Sequence, residues 1–274
     1  MTEGDHPSEE VRTGDDERAA APPPADPEER TPDPELSDTV VALTDADLDR
    51  RSRTKLLGRL VRAEIRERGV KDLLRPKAAV RWVVDSVMDV APHIQVRDLE
   101  TLKAHHDGLE GDALAERLVR NAARAATGIG AAGGGVAAIE WAVTPTLMSA
   151  PVLLAAETVA VVAVEIKLIA ELHEVYGNPV PGNGTQRAVT LLQAWSHQRG
   201  INPLVPGRGI AVVLGTAARK DLRDRLVRRL GRNLTMFGPM LTGAAVAGYL
   251  NRRSTLALGT AIIADLRKKP AIEA

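Results

Sequence analysis

The sequence predicts an all-α protein: a helical bundle that contains two apolar, glycine-rich helical hairpins and follows a disordered, acidic, proline-rich tail. Three observations lead to this class. Only six of the 274 residues are aromatic, and no segment alternates apolar and polar residues with the period of two typical of a strand. Apolar residues instead recur at helical spacing. Finally, the 39 residues 126–164 carry only two charges, Glu140 and Glu157.

Charge is distributed unevenly along the chain. Residues 1–40 contain 13 acids and 3 bases, whereas residues 41–274 contain 33 bases and 23 acids. An acidic tail on a basic body suggests self-masking or an anionic partner, but the interpretation we favour is a solvated tail that aids solubility. The chain has no cysteine, which excludes disulfides and thiolate metal sites. The acidic N-terminus differs from a secretory signal peptide, so we expect a protein that is not secreted.

The first predicted segment, residues 1–40, is an acidic tail. Seven prolines and almost no large apolar residue lie in residues 1–38. Such a segment buries too little apolar surface to offset its chain entropy, so we predict disorder.

The second segment, residues 41–110, is predicted to be basic, amphipathic and helical. Leu57, Leu60 and Val61 fall on one face of a helix, and Arg59 and Arg62 fall on the other. A basic amphipathic helix is typical of a protein that lies on an anionic membrane surface. It is equally typical of an ordinary bundle helix with a solvated face.

The third segment, residues 111–274, begins with a predicted hairpin at about 112–176. Asp112 is the predicted N-cap of its first helix, and Tyr176-Gly177 ends its second helix. Small residues recur every four positions along the first helix, a pattern that permits close helix approach in lipid and in water. The residues predicted to pack helices in this way are Ala126, Gly130, Gly134, Ala138, Gly243 and Ala247.

A second hairpin is predicted at about 236–266, after a strongly basic helix. Its arms are Phe237–Leu250 and Ser254–Ile263, with a charged tip at Asn251–Arg253. Both arms are shorter than the roughly 20 residues that a membrane-spanning helix needs. The cations predicted to contact lipid or another anion lie on the preceding helix: Arg219, Arg223, Arg225, Arg228, Arg229 and Arg232.

Motifs that resemble chemical sites have simpler explanations. Gly128, Gly130 and Gly133 match G-x-G-x-x-G, but a helix precedes them where a dinucleotide site needs a strand. Glu140 and Glu157 lie in apolar segments, where a carboxylate is costly and often functional. The favoured interpretation is that Glu140 lies near a helix end at an interface and Glu157 faces water or a cation. We predict no catalytic residue, cofactor or metal ligand, and we do not expect nucleic-acid binding.

The C-terminal pattern resembles a known family. The helix that ends in Glu171–Gly177, followed by the basic helix and the small-residue run up to Asp265, is similar to the EcsC family of bacterial proteins. It is also similar to helical domains of unknown function attached to bacterial GTPases. The resemblance covers roughly residues 110–270, and it implies an EcsC-like helical domain and membrane association without a mechanism.

Two functional hypotheses therefore remain open, and an enzyme is the least supported class. In the first, a non-enzymatic helical protein binds an anionic membrane surface through its basic helices and inserts or docks its apolar hairpins. It would lie on the cytoplasmic side of a bacterial cell membrane, alone, as a homo-oligomer or with a membrane-protein partner. In the second, a cytoplasmic all-α domain serves protein interaction or oligomerisation.

Overall fold

A computed structural model of the chain describes residues 34–68, 76–143, 150–199 and 244–268. These residues form α-helices and connecting turns, with no strand in the described ranges. The prediction of an all-α fold is therefore confirmed. The described helices are α1 Pro34–Leu43, α2 Arg50–Arg68, α3 Pro76–Val90, α4 Leu99–His105, α5 Gly111–Val143, α6 Ala150–Val175, α7 Gly184–Gln198 and α8 Ala244–Leu266, with a 3-10 turn at Ala91–His93.

Helix α6 is the centre of the bundle. It packs against each of the other seven described helices, and no residue from Val152 to Val175 is exposed. Its sequence explains this position, because Val, Ala, Leu and Ile occupy its whole circumference rather than one stripe. Two of its charged residues, Glu165 and Glu171, are also buried.

Helix α5 is the longest described helix and lies between α6, α2 and α8. The residues that join α5 to α6, 144–149, lie outside the described residues.

The C-terminal end of α6 lies where the sequence predicted it. Gly177 has a positive φ of 64°, and the backbone nitrogen of Asn178 donates to the carbonyl of His173 at 2.9 Å, which is the left-handed helix ending that glycine favours.

The predicted tail was too long at its C-terminal end. Residues 1–33 lie outside the described residues, but 34–40 form most of α1, in which Val40 and Leu43 are completely buried. Pro34 occupies the first position of the helix, where its missing N–H costs nothing, and Glu35 lies in the first turn, where a negative charge is favourable. The features that indicated a disordered acidic segment therefore serve here as helix-start signals.

The predicted tip of the second hairpin was also wrong. Helix α8 continues without a break through Asn251–Arg253. Arg252 and Arg253 are exposed, so their charges reach solvent from the side of a continuous helix and require no turn. The part of the predicted hairpin before Ala244, including Gly243, lies outside the described residues.

Candidate functional site

The outer face of α2 carries a row of cations. Arg51, Lys55, Arg59, Arg62 and Arg66 are all exposed, and their spacing of four, four, three and four residues places them within an arc of about 80° on an α-helix. The row is about 22 Å long at 1.5 Å per residue. No side chain that the structure describes pairs with any of them. We call these five residues the cationic stripe.

The opposite face of α2 anchors the helix to the core. Leu57, Leu60 and Val61 are buried. The guanidinium of Arg53, also buried, donates to the carbonyl oxygens of Leu43 at 3.0 Å, Asp45 at 2.8 Å, Leu48 at 3.1 Å and Ala125 at 3.4 Å.

Burial lowers the pKa of Arg53, while Asp45 and Asp49 act in the opposite direction. Carbonyl oxygens satisfy this buried cation, as a charge removed from water requires. The anchored face fixes the orientation of α2, so the cationic stripe points away from the core.

A groove of about 390 Å³ lies along the C-terminal half of the stripe. It is lined by Arg59, Arg62, Ala63, Ile65 and Arg66, and we call these residues the arginine groove. Gly58 lies beside it: a Cβ built there would be 4.0 Å from both terminal nitrogens of Arg62. The Arg62 guanidinium therefore lies over the glycine, close to the helix backbone.

The glycines of α5 each make room for a different neighbour. A Cβ on Gly128 would lie 2.7 Å from Nε of Arg53. A Cβ on Gly130 would lie 2.7 Å from the backbone nitrogen of Gly248 and 2.8 Å from the carbonyl carbon of Ala247, both on α8. A Cβ on Gly133 would overlap the Glu157 carboxyl group. The G-x-G-x-x-G pattern thus corresponds to packing within one chain, not to a phosphate-binding loop.

The residues predicted to pack helices are only partly brought together. Gly130 lies against Ala247, and Ala126 is buried on the same helix. Gly134 and Ala247 are half-buried, while the side chain of Ala138 and all of Gly243 fall outside the described residues.

Sequence reasoning missed Gly248, which supplies the closest backbone approach to α5. It also missed Gly259 of α8, where a Cβ would lie 2.5 Å from a methyl carbon of Val119. The run of small residues that contains Gly248 was the available signal.

Glu157 lies at the contact between α6 and α5, against Gly133. Its side chain is only 8% exposed, and burial raises its pKa to about 8. No hydrogen bond or ion pair joins it to a residue that the structure describes. The expectation that Glu157 faces water was therefore wrong, and no cation that the structure describes pairs with it. The side chain of Glu140 lies outside the described residues.

A buried polar cluster joins α6, α7 and α8 around Glu165. One carboxylate oxygen accepts from the indole N–H of Trp195 at 2.8 Å, and the other accepts from the hydroxyl of Thr255 at 2.9 Å. The guanidinium of Arg199 donates to the same carboxylate and to the hydroxyl of Ser254. Because every polar partner is satisfied within the cluster, we read it as a structural junction.

A second buried carboxylate, Glu171, holds the segment between α3 and α4. Arg97 donates to it through Nε at 2.7 Å and through a terminal nitrogen at 3.0 Å, a bidentate arrangement that fixes orientation. His106 is also buried nearby. Burial, followed by the charge of Arg97, lowers the pKa of His106.

Tyr176 fastens the end of α6 to the beginning of α5. Its hydroxyl donates to Asp112 at 2.6 Å, and Arg267 pairs with the same carboxylate at 2.8 Å. Burial, reinforced by Asp112, raises the pKa of Tyr176 to about 12. Because α5 begins at Gly111, Asp112 lies inside the helix and acts through these contacts instead of as the predicted N-cap.

The predicted anion-contact residues of the basic helix, Arg219 to Arg232, lie outside the described residues. The described part of the chain contains no cluster of three or more His, Asp or Glu side chains placed to hold a metal ion. None of its helices combines the length and the apolar character needed to cross a bilayer.

Comparison of the chain with protein-family models, curated proteins and solved structures finds no match. The resemblance to the EcsC family therefore stays a prediction from the sequence. Among the described residues, the cationic stripe is the surface with the clearest chemical character.

Proposed function

We propose that the protein is a non-enzymatic peripheral membrane protein that binds an anionic phospholipid surface, such as the cytoplasmic leaflet, through the cationic stripe of α2. The observation that carries the proposal is the set of five exposed cations within one helical arc, without a described partner. A flat anionic surface can contact all five at once, because they lie along one line of the helix.

The expected affinity is moderate. Each Lys or Arg close to an anionic membrane contributes about 1 kcal/mol, so the stripe contributes roughly 5 kcal/mol at low ionic strength. This corresponds to a gain of three to four powers of ten in partitioning. Salt screens exposed charges over a Debye length of about 8 Å at physiological ionic strength, so binding should be reversible and salt-sensitive.

The proposal places the apolar helices in the protein core instead of in lipid. Helix α6 is surrounded by seven helices, and its carboxylates Glu165 and Glu171 bond to Trp195 and Arg97. Moving α6 into a bilayer would separate these partners and leave buried charges unpaired, at a cost of several kcal/mol each. We therefore favour docking of the protein on the membrane surface over insertion of its hairpins.

Sedimentation with vesicles tests this function. The full chain should co-sediment with vesicles of phosphatidylcholine and phosphatidylserine at 50 mM salt, and it should be released by 500 mM salt. A variant with Gln at all five positions of the cationic stripe should lose this binding.

The matched control removes five other exposed cations, and it should retain binding: Arg117, Arg120, Arg124, Arg252 and Arg253, each replaced by Gln. Equal losses in the two variants would mean that only net charge matters. Failure of the wild-type chain to bind anionic vesicles at low salt would refute the proposal.

One observation favours the second candidate, a soluble domain for protein interaction. Val246, Tyr249 and Leu250 on α8 are 46%, 59% and 41% exposed, and large exposed apolar side chains that lie together are typical of interaction surfaces. A Tyr249→Ser, Leu250→Ser variant separates the candidates. It should leave vesicle binding unchanged, whereas a loss of self-association in analytical ultracentrifugation would support the second candidate.

A further inference from the structure

We infer that the arginine groove is a subsite for the phosphate of a lipid headgroup, and that it prefers a terminal phosphomonoester to a phosphodiester. The inference rests on the proposed function, in which α2 docks on an anionic membrane. It adds a specific ligand chemistry to a surface that otherwise recognises only charge.

The three arginines of the groove lie along one side of the same concavity. Arg59, Arg62 and Arg66 are spaced three and four residues apart, so they lie on consecutive turns within about 60° of each other. All three are exposed, and none forms an ion pair or hydrogen bond with a residue that the structure describes. Their N–H donors are therefore available to a ligand.

The concavity of the surface distinguishes the groove from the rest of the stripe. Its volume is about 390 Å³, which lies within the range of roughly 300–1,000 Å³ found for small-molecule sites. The Arg62 guanidinium approaches the helix backbone over Gly58, where a Cβ would be 4.0 Å away. Arg51 and Lys55 lie on the same helical face but do not line the groove.

Guanidinium groups bind phosphate, like carboxylate, through paired donors that an ammonium group lacks. Each presents a planar fork of N–H donors that matches two oxygens of a phosphate, whereas a lysine ammonium acts as a point charge. A terminal phosphomonoester offers three acceptor oxygens and a charge of about −1.5 to −2 at pH 7. A phosphodiester offers two free oxygens and one charge, so a groove lined by three arginines matches the monoester better.

The apolar residues of the groove favour a lipid over a free phosphate ion. Ala63 and Ile65 flank the arginines on either side of the helical arc, and both are half-buried. A free anion would gain nothing from these contacts. The glycerol and upper acyl carbons of a lipid would cover them while the phosphate meets the arginines.

A charge-preserving variant tests the inference. The variant combines Arg59→Lys, Arg62→Lys and Arg66→Lys. It keeps the net charge but removes the paired N–H donors of the three guanidinium groups. Its control is Arg117→Lys, Arg120→Lys and Arg124→Lys on α5, which makes the same chemical change on exposed arginines outside the groove. All six side chains are exposed, so both variants should fold, which circular dichroism and the thermal midpoint would verify.

The probes are vesicles of phosphatidylcholine that contain either phosphatidic acid, a phosphomonoester, or phosphatidylserine, with mole fractions adjusted to equal surface charge. The wild-type chain should bind the phosphatidic acid vesicles about tenfold more tightly. The triple-lysine groove variant should bind both vesicles with nearly equal affinity, close to that of wild type for phosphatidylserine. The α5 control should keep the preference.

Three results would overturn the inference. Equal binding of the wild-type chain to both kinds of vesicle would mean that the groove recognises charge alone. An unchanged preference for phosphatidic acid in the groove variant would mean that other residues cause the selectivity. Inorganic phosphate that binds in calorimetry as tightly as the lipid would mean that the ligand is a free anion. Each of these leaves binding to phosphatidylserine intact, whereas loss of binding to every anionic vesicle would refute the proposed function itself.

Discussion

Replacing Glu157 by Gln should stabilise the protein near neutral pH. Burial raises the pKa of Glu157 to about 8, from the value of 4.5 for a solvated glutamate. At pH 7 the folded protein therefore holds this carboxyl mainly protonated, whereas the unfolded chain ionises it. Keeping a proton bound 2.5 pH units above the unfolded pKa costs about 3 kcal/mol. Gln has nearly the same shape and no ionisation, so the variant avoids this cost.

The stability difference between Glu157→Gln and wild type should depend on pH in a defined direction. Since the folded state binds more protons than the unfolded state between pH 4.5 and about 8, the contribution of Glu157 to stability falls as pH rises through this window. The difference between the variant and wild type should be small at pH 5 and about 3 kcal/mol at pH 7. It should approach 5 kcal/mol above pH 8.5.

Urea denaturation followed by circular dichroism at 222 nm measures these differences at each pH. His106, whose lowered pKa makes stability rise with pH through its own titration, is present in both proteins and cancels in the comparison. Glu116→Gln is the matched control, because Glu116 is an exposed carboxylate on α5 and its loss should change stability by less than about 1 kcal/mol. A Glu157→Gln variant with the wild-type pH slope, or with lower stability at pH 7, would mean that Glu157 is ionised and paired in the native protein.

Three further substitutions test contacts within the core. Gly130→Ala should destabilise the protein by about 1–3 kcal/mol, because its Cβ would lie 2.7 Å from the α8 backbone. Gly58→Ala should stabilise the protein by up to about 1 kcal/mol, because its Cβ would lie 3.8 Å from the nearest neighbour. Thermal unfolding distinguishes the two variants, and equal midpoints would contradict the close contact between Gly130 and α8. Glu165→Ala should cost about 3–5 kcal/mol, because it leaves Trp195 and Thr255 without their acceptor and Arg199 without its carboxylate. A loss below about 1 kcal/mol in urea denaturation would show that water or other side chains replace that carboxylate.

The sequence predicted the helices well because their signals are local. Apolar spacing identified α2, α5 and α6, and Gly177 marked the end of α6. The same signals were ambiguous where one residue type serves two purposes. Pro34 and Glu35 suggested a disordered tail but begin α1, and Arg252 and Arg253 suggested a hairpin tip but lie on the exposed side of α8.

The site was harder to predict than the fold. The basic character of α2 was visible in its sequence, but that pattern did not show that Arg53 is buried while Arg59, Arg62 and Arg66 line a groove. Periodicity places Arg53 on the apolar face of α2 with Leu57 and Leu60, but it does not show whether that guanidinium is buried or extends to solvent. That assignment depended on the carbonyl oxygens that α1 and α5 present to Arg53.

By itself, then, the sequence determined that this chain is helical, that α6 is apolar, and that α5 carries glycines suited to close contact. Only the tertiary structure decided what those glycines meet: an arginine at Gly128, a helix backbone at Gly130 and a carboxyl group at Gly133. The physical reason is one of range. Helix formation depends on hydrogen bonds and side chains within a few residues, whereas close packing depends on complementary shapes contributed by segments far apart in the chain.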